Sequence, residues 1–171
     1  FYTKHNLKRS PMEKLLKLLR DNARLSTKEL AVMLDRNEEL VEKQITDLEK
    51  TGVIKGYKAL INETKVKAGV SALIELKVTP KKELGFQDIA DRVMQFSEVE
   101  SVYLMAGDYD LSVLVRGETI QDVAMFVAKR LSPLESVIST STHFVLQKYK
   151  QDGVILDDSK EQDIRSQMVK E

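Results

Sequence analysis

Residues 26–52 read STKELAVMLDRNEELVEKQITDLEKTG, and this stretch contains the signals of two short helices separated by about three residues. Ser26 begins a capping box for the first of these helices, which we expect to end near Asp35. Asn37 is the predicted N-cap of the second helix, acidic residues follow it in the first turn, and Gly52 ends the helix. The pattern is typical of a helix-turn-helix.

The segments on either side of this pair extend the same unit. Ser10 and Glu13 form another capping box, and the leucines that follow predict a supporting helix that runs to about Asn22. Residues 53–61 alternate bulky apolar residues with Lys and Gly, which favours a short exposed hairpin or wing. We therefore expect a helix-turn-helix domain over residues 10–61. The absence of an initiator Met leads us to expect a tag remnant or a shortened start before it.

In the third helix of this unit, apolar residues recur at three- and four-residue spacing. Leu40, Val41, Ile45 and Leu48 are the members of this series, and they predict the stripe that packs against the other two helices. The acidic residues nearby make this helix unusually negative for a helix that would lie against DNA.

The periodicity changes after a polar linker at residues 62–69. The predicted elements that follow are a strand at 70–79, a helix at 85–96, strands at 99–106 and 111–115, a helix at 119–132 and a long strand at 137–149. This order predicts an α+β chain whose second domain, residues 70–156, has the ferredoxin-like βαββαβ arrangement, a four-stranded antiparallel sheet with two helices on one face. Residues 154–156 are expected to add a short edge strand, and residues 157–171 a polar tail.

The charge of the chain is unevenly distributed. The 27 basic and 27 acidic residues cancel, but residues 1–61 carry 13 Lys and Arg against 9 Asp and Glu, and the remainder carries 14 against 18. The basic end is therefore the predicted helix-turn-helix, which suits a nucleic-acid partner.

Several function classes find little support in the composition. The chain has no cysteine, and its two histidines, His5 and His143, lie far apart without metal-ligand spacing. It has no Gly-rich phosphate loop, and no apolar run approaches the ~20 residues that cross a bilayer. We therefore predict no enzyme activity, no cofactor, no metal and no membrane partner, and we expect a cytoplasmic protein. His143 is interpreted as a partly buried strand residue.

Four phrases of sequence carry a family resemblance. In chain order they are residues 21–24 (DNAR), 45–57 (ITDLEKTGVIKGY), 106–110 (AGDYD) and 139–142 (STST). Together they resemble the leucine-responsive regulators of the Lrp/AsnC, or feast/famine, family over roughly residues 12–150. The resemblance implies a winged helix-turn-helix head and a RAM- or ACT-like second domain. It also implies dimers formed through the C-terminal sheet, often octamers, palindromic DNA sites, and an amino acid or similar effector held between dimers.

The candidate DNA-binding residues belong to the head. They are Arg24, Lys28, Arg36, Asn37, Lys43, Gln44, Lys50 and Lys55. Lys and Arg would neutralise phosphates, and directed donors near the start of the third helix would read base edges, with Lys43 and Gln44 the favoured readers. For any one lysine the alternative is a solvated surface residue, and Asn37 is better explained as a helix cap.

The candidate effector-binding residues come from two places in the second domain. They are Gly107, Asp108, Tyr109, Asp110, Thr140 and Thr142. Gly107 would let a ligand or a neighbouring subunit approach the backbone, Asp108 and Asp110 would form an acceptor pair for an ammonium group, and the threonines would offer hydroxyls. The alternatives are a tight hairpin turn chosen for its geometry and solvent-facing strand residues.

The function that these features predict is sequence-specific DNA binding by a transcription regulator that responds to an amino acid or similar effector. The acidic third helix keeps a second hypothesis open, a sensor or assembly protein of the same fold with weak or lost DNA binding. The salt dependence of DNA affinity separates the two, because binding that depends on phosphates weakens steeply as salt rises.

Overall fold

The computed structural model describes residues 10–66, 69–80 and 85–156. The chain divides between Leu60 and Ile61 into two compact units. The expectations for residues 1–9 and for the tail at 157–171 lie outside the described residues. None of the helices in the described ranges has the length and apolar character needed to span a bilayer.

The first unit contains three helices, as predicted. They are α1 at Pro11–Asp21, α2 at Thr27–Leu34 and α3 at Glu38–Lys50. The capping boxes at Ser10 and Ser26 are both formed, and the side chain of Asn37 caps α3 by accepting the amide hydrogen of Glu39 at 2.8 Å. The caps therefore fix where each helix begins, and a small core of buried side chains joins the three. Its members are Leu15, Leu19, Leu30, Ala31, Val41 and Leu48.

The hairpin predicted at residues 53–61 is not formed. Gly52, just after α3, has a φ of 72°. The last backbone hydrogen bond to the helix is donated by Ile54 N to Leu48 O at 3.0 Å. Beyond it residues 53–61 pair with no strand of the described chain, and their apolar side chains Val53, Tyr57 and Ile61 stay exposed. Tyr57 instead donates its hydroxyl to Glu49 Oε1 at 2.8 Å. Burial, followed by the nearby Glu49 carboxylate, raises the pKa of Tyr57, so the hydroxyl keeps its proton at neutral pH.

The second unit is the predicted ferredoxin-like domain. Its elements are β1 at Val70–Val78, α4 at Gln87–Met94, β2 at Val99–Leu104, β3 at Leu111–Gly117, α5 at Ile120–Phe126 and β4 at Val137–Phe144. The sheet has the order β2-β3-β1-β4 with each adjacent pair antiparallel. α5 continues into one π-helical turn at Val127–Leu131. The six elements of the βαββαβ arrangement are present, in the predicted order.

One face of the sheet packs against both helices. Ile74 and Val113 on the strands are fully buried together with Val93 of α4 and Phe126 of α5. The alternate residues of each strand point to the other face, which we call the open face because, in the described part of the chain, no α-helix packs on it. Along the strands the open face comprises Ser71, Leu73, Glu75, Lys77, Ser101, Tyr103, Ser112, Leu114, Arg116, Ser139, Ser141 and His143.

His143 is a correction to the sequence-based interpretation. Its side chain is 57% exposed on the open face, and Nε2 lies 3.1 Å from both Ser141 Oγ and Glu75 Oε2. The alternation of β4 gives the reason, since the buried register is taken by Thr142, which pairs with Ile74. His143 is therefore an exposed residue and not a partly buried one.

The end of the domain also differs from the prediction. β4 ends at Phe144, and residues 154–155 pair with Lys150–Gln151 in a separate two-stranded hairpin, β5 and β6, instead of adding an edge strand to the sheet. Asp152 and Gly153 both have positive φ, which is the conformation of a tight two-residue turn. This turn pairs residues 154–155 with the residues just before it and not with β4, which remains the edge strand of the sheet.

The linker is attached to the second unit. Asn62 donates its amide to Leu156 O at 2.9 Å and begins a 3₁₀ turn at Glu63–Lys65. Glu63 forms ion pairs with Arg116 and with Lys148. Burial raises the pKa of Glu63, but the hydrogen bonds and positive charges of Lys148 and Arg116 outweigh burial and lower the pKa overall. This carboxylate is therefore ionised at neutral pH and holds the linker against the sheet.

The connection between β2 and β3 is longer than the predicted tight turn and is fastened to β1. It spans residues 105–110 and closes with a bond from Met105 N to Asp110 O at 2.8 Å. Asp110 N donates to Leu76 O at 3.0 Å, and its carboxylate accepts the amide hydrogen of Val78 at 2.9 Å. Lys77 Nζ donates to the carbonyl of Asp108 at 2.8 Å. The ladder between β1 and β3 ends at the pair Leu76–Leu111, so the Val78 amide has no strand partner on that side, and the Asp110 carboxylate supplies the acceptor.

The substitution Asp110→Ala should lower the free energy of unfolding by about 1–3 kcal/mol, because the Val78 amide, in a residue only 3% exposed, loses its acceptor. Urea denaturation followed by circular dichroism measures this change. Asp108→Ala is the matched control, since the exposed Asp108 side chain has no hydrogen bond to the described residues, and its effect should stay within about 0.5 kcal/mol. Equal effects of the two substitutions would contradict the role assigned to Asp110.

Candidate functional site

The predicted DNA-binding residues lie on or beside the helix-turn-helix. α3 places Val41 and Leu48 in the core, so Lys43 and Lys50 point away from it. Six of the eight candidates are exposed, namely Arg24, Lys28, Asn37, Lys43, Lys50 and Lys55, whereas Arg36 and Gln44 are half-buried. A second helix of this kind lies in the major groove in known complexes, with its N-terminal residues against the bases. The exposed lysines of α3 are therefore available to DNA.

The side chains of Arg36 and Gln44 are hydrogen-bonded to each other. Arg36 Nη1 donates to Gln44 Oε1 at 2.5 Å, across the turn that separates α2 from α3. This bond fixes the angle of α3 and uses the amide oxygen that Gln44 would need to recognise an adenine. Both residues thus help to stabilise the turn. Of the two residues favoured from sequence for reading bases, Lys43 is the exposed one.

Two of the acidic residues of α3 accept hydrogen bonds from within the head. Glu38 accepts the hydroxyl of Thr27 at 2.9 Å, and Glu49 accepts the hydroxyl of Tyr57. Glu39 stays exposed in the first turn of the helix, where its charge is favourable to the helix dipole. The helix presents a mixed surface to a ligand and not a uniformly negative one.

Leu40 is a residue that the sequence pattern misplaced. Its spacing assigned it to the buried stripe of α3, but its side chain is 56% exposed while that of Val41 is fully buried. Adjacent positions of a helix are about 100° apart, so the stripe that contains Val41, Ile45 and Leu48 leaves Leu40 at its edge. An apolar side chain therefore lies on the surface near the start of the recognition helix.

The candidate effector residues come together at one end of the sheet. Asp110 bonds to Leu76 from the β3 side, and Thr140 pairs with Leu76 from the β4 side. The two residues thus lie on opposite sides of β1, two inter-strand spacings or about 10 Å apart. Thr142 follows two residue pairs further along, opposite Ile74. The fold brings together two segments that lie about thirty residues apart in the chain.

The orientations of these side chains change part of the prediction. Thr140 and Thr142 pair with the buried Leu76 and Ile74, so they are half-buried on the helix-covered face, and the solvent-facing alternative is wrong. Asp110 and Asp108 do not form a free acceptor pair, because the Asp110 carboxylate already accepts Val78 N, and Lys77 Nζ lies 3.5 Å from it. Asp108 alone remains exposed without a side-chain partner among the described residues.

Gly107 and Tyr109 complete this connection. Gly107 is exposed, its φ is not positive, and a Cβ built on it would meet no atom within 4 Å. The described residues therefore leave open space beside Gly107, and the approach of a ligand or another subunit stays a prediction. Tyr109 is half-buried. Lys77 was not among the residues predicted from sequence, but it adds an ammonium group beside Asp108. Its position at the end of an alternating strand is the sequence pattern that could have identified it.

Two family models match the chain. One, described as a winged helix-turn-helix DNA-binding domain, matches residues 12–55, and the other, described as the Lrp/AsnC ligand binding domain, matches residues 71–155. The first covers α1 to α3, and the second covers the whole ferredoxin-like sheet. Both candidate sites therefore lie within matched segments.

Individual relatives agree with these models. An uncharacterised HTH-type transcriptional regulator, YugG of Bacillus subtilis, is 48% identical over 145 residues, which is 84% of this chain and 87% of that protein. A transcriptional regulator from Neisseria meningitidis, solved in complex with L-Met, has a TM-score of 0.69 and 24% identity over 90% of this chain and 98% of its own. AsnC of E. coli has a TM-score of 0.66 and 20% identity over 86% and 97%. At these identities the two structures show the fold.

The helix-turn-helix, the ferredoxin-like sheet and the matched models thus point to one class of protein. The chain belongs to the Lrp/AsnC family of transcriptional regulators, in which a DNA-binding helix-turn-helix is joined to a domain that binds a small-molecule effector.

Proposed function

We propose that this regulator acts as a homodimer, joined through the open face of its sheet, whose affinity for DNA is set by an amino acid bound beside residues 105–110. The observation that carries the proposal is the open face itself. Leu73 and Leu114 are paired at its centre, and Tyr103 is 55% exposed nearby. An apolar centre ringed by polar side chains is the usual composition of a subunit interface.

Pairing of two heads strengthens DNA binding. Once one head is bound, the second meets its half-site at the high local concentration that the dimer imposes. The exposed Lys28, Lys43 and Lys50 of each head supply the phosphate contacts. A two-fold dimer is matched to a palindromic site, because the symmetry of the protein repeats in the half-sites.

The effector is proposed to be an amino acid held at the end of the sheet. The Neisseria meningitidis regulator, which shares this fold, was solved with L-Met. In this chain the exposed Asp108 carboxylate would accept hydrogen bonds from the ammonium group of the amino acid. Lys77 would lie near the carboxylate of the amino acid. If the amino acid binds two arrangements of the dimer with different affinities, its binding would shift the affinity for DNA. DNA would then shift the affinity for the amino acid by the same factor.

DNA binding is tested with a duplex selected from a random library by the full-length protein. Its affinity, measured by fluorescence anisotropy, should fall steeply with salt, and Lys43→Ala or Lys50→Ala should reduce the slope of log K against log salt by about one for each phosphate that the lysine neutralises. Lys17→Ala, an exposed lysine of α1, is the control and should leave the slope unchanged. A protein that selects no duplex at low salt would support the sensor or assembly alternative.

The open face is tested by Leu73→Glu. A charge at the centre of an apolar interface is desolvated without a partner, so sedimentation velocity should show a shift from dimers or larger species towards the 19.5 kDa chain. Ile120→Glu, at an exposed apolar position at the start of α5, lies on the helix side of the sheet and should leave the dimer intact. A dimer that survives Leu73→Glu would place the interface elsewhere.

The effector site is tested by calorimetry with each of the common amino acids, L-Met first. One of them should bind and change the affinity for the selected duplex, and its N-acetyl derivative, which lacks the ammonium group, should not. Asp108→Ala should weaken binding about tenfold or more, as expected for loss of a charged hydrogen bond. If Asp108→Ala binds the amino acid as tightly as the wild type does, the carboxylate does not hold the ammonium group.

A further inference from the structure

Leu40 is an exposed apolar side chain in the part of α3 that approaches DNA. It is the third residue of the helix and is 56% exposed, although Val41 beside it is fully buried. The N-terminal residues of a recognition helix are the ones that reach the base edges. This leucine is not part of the core of the head, so its apolar surface is available to a partner.

The polar residues around Leu40 are mostly occupied. Asn37 caps α3, Glu38 accepts from Thr27, and Gln44 accepts from Arg36. The first two turns of the helix therefore present fewer free hydrogen-bonding groups than their sequence suggests. The exposed surface of these two turns includes the side chain of Leu40.

The two free neighbours of Leu40 define the kind of partner. Glu39 and Lys43 are exposed, and neither side chain has a hydrogen bond to the described residues. Lys43 lies three residues after Leu40 and hence on the same side of the helix, and Lys50 lies two turns further along. Asp47, also exposed, lies two turns beyond Leu40, so the surface around the leucine carries two lysines and one carboxylate. An apolar side chain beside lysines fits a partner that offers an apolar group between anionic walls, as the major groove of DNA does where a thymine methyl stands among the polar base edges.

The apolar group that DNA offers in the major groove is the C5 methyl of thymine. We infer that Leu40 contacts a thymine methyl in each half-site and gives this regulator a preference for thymine over cytosine at that position. The inference rests on the DNA binding proposed above. In this arrangement Lys43 lies over the neighbouring base pair or its phosphate, so the two side chains together position α3.

The test replaces that methyl with hydrogen. Full-length protein selects duplexes from a random library, and each thymine of the selected half-site is changed in turn to deoxyuridine, which keeps the base pair and removes only the methyl. At one position the wild type should lose affinity about fourfold for each half-site, the value expected for burial of one methyl group.

Three variants assign the effect to Leu40. Leu40→Ala should bind the thymine and uracil duplexes with equal affinity, and Leu40→Met, which keeps the apolar contact, should retain the difference. Val32→Ala, an exposed apolar residue of α2 truncated in the same way, is the matched control and should retain the full difference. Circular dichroism verifies that each variant is folded, as expected for exposed positions.

The outcomes separate the two proposals. A salt-sensitive duplex that the wild type binds equally with thymine and uracil at each position overturns the Leu40 contact and leaves DNA binding intact. The same result follows if Leu40→Ala still distinguishes the two bases. A wild type that enriches no duplex overturns DNA binding by the chain, and the contact with it.

Discussion

The burial of alternate residues along β1 is the constraint on which the second unit depends. β1 lies between β3 and β4, and Ile74 and Leu76 are fully buried beneath the helices. A shift of one residue in either pairing would expose both of them, so the register of three strands is fixed at once. The same register sends Leu73 to the open face and places Asp110 and Thr140 on the two sides of Leu76. One alternating strand thus positions both the proposed dimer surface and the proposed effector site.

Much of this could be predicted from sequence because the signals were local. Capping boxes at Ser10 and Ser26 and the alternation of β1 each depend on residues a few positions apart, and these elements are where the sequence indicates. What could not be predicted depends on residues distant in the chain. The carboxylate of Asp110 is used by an amide of β1, thirty-two residues earlier, and nothing near Asp110 in the sequence reveals that requirement.

The same distinction applies in the head. The spacing of α3 identifies its apolar residues but cannot decide which edge of the stripe the other helices cover, and so Leu40 was assigned to the core. The bond between Arg36 and Gln44 likewise joins residues eight positions apart whose side chains each suit a base. Sequence gives the chemical types that a site contains, whereas packing determines which of them are free to act.

The internal contacts of α3 also bear on how a helix with several acidic residues can bind DNA. Glu38 and Glu49 are turned to Thr27 and Tyr57, and the raised pKa of Tyr57 keeps that donor protonated over the physiological range. The acidic residues therefore serve partly to hold the helix, and the lysines face outward. In the proposed dimer, two heads with few phosphate contacts each would bind DNA more tightly than either head alone. Under that proposal, a ligand that changes how the dimer presents its two heads would change the fit to both half-sites together, and hence the affinity for DNA.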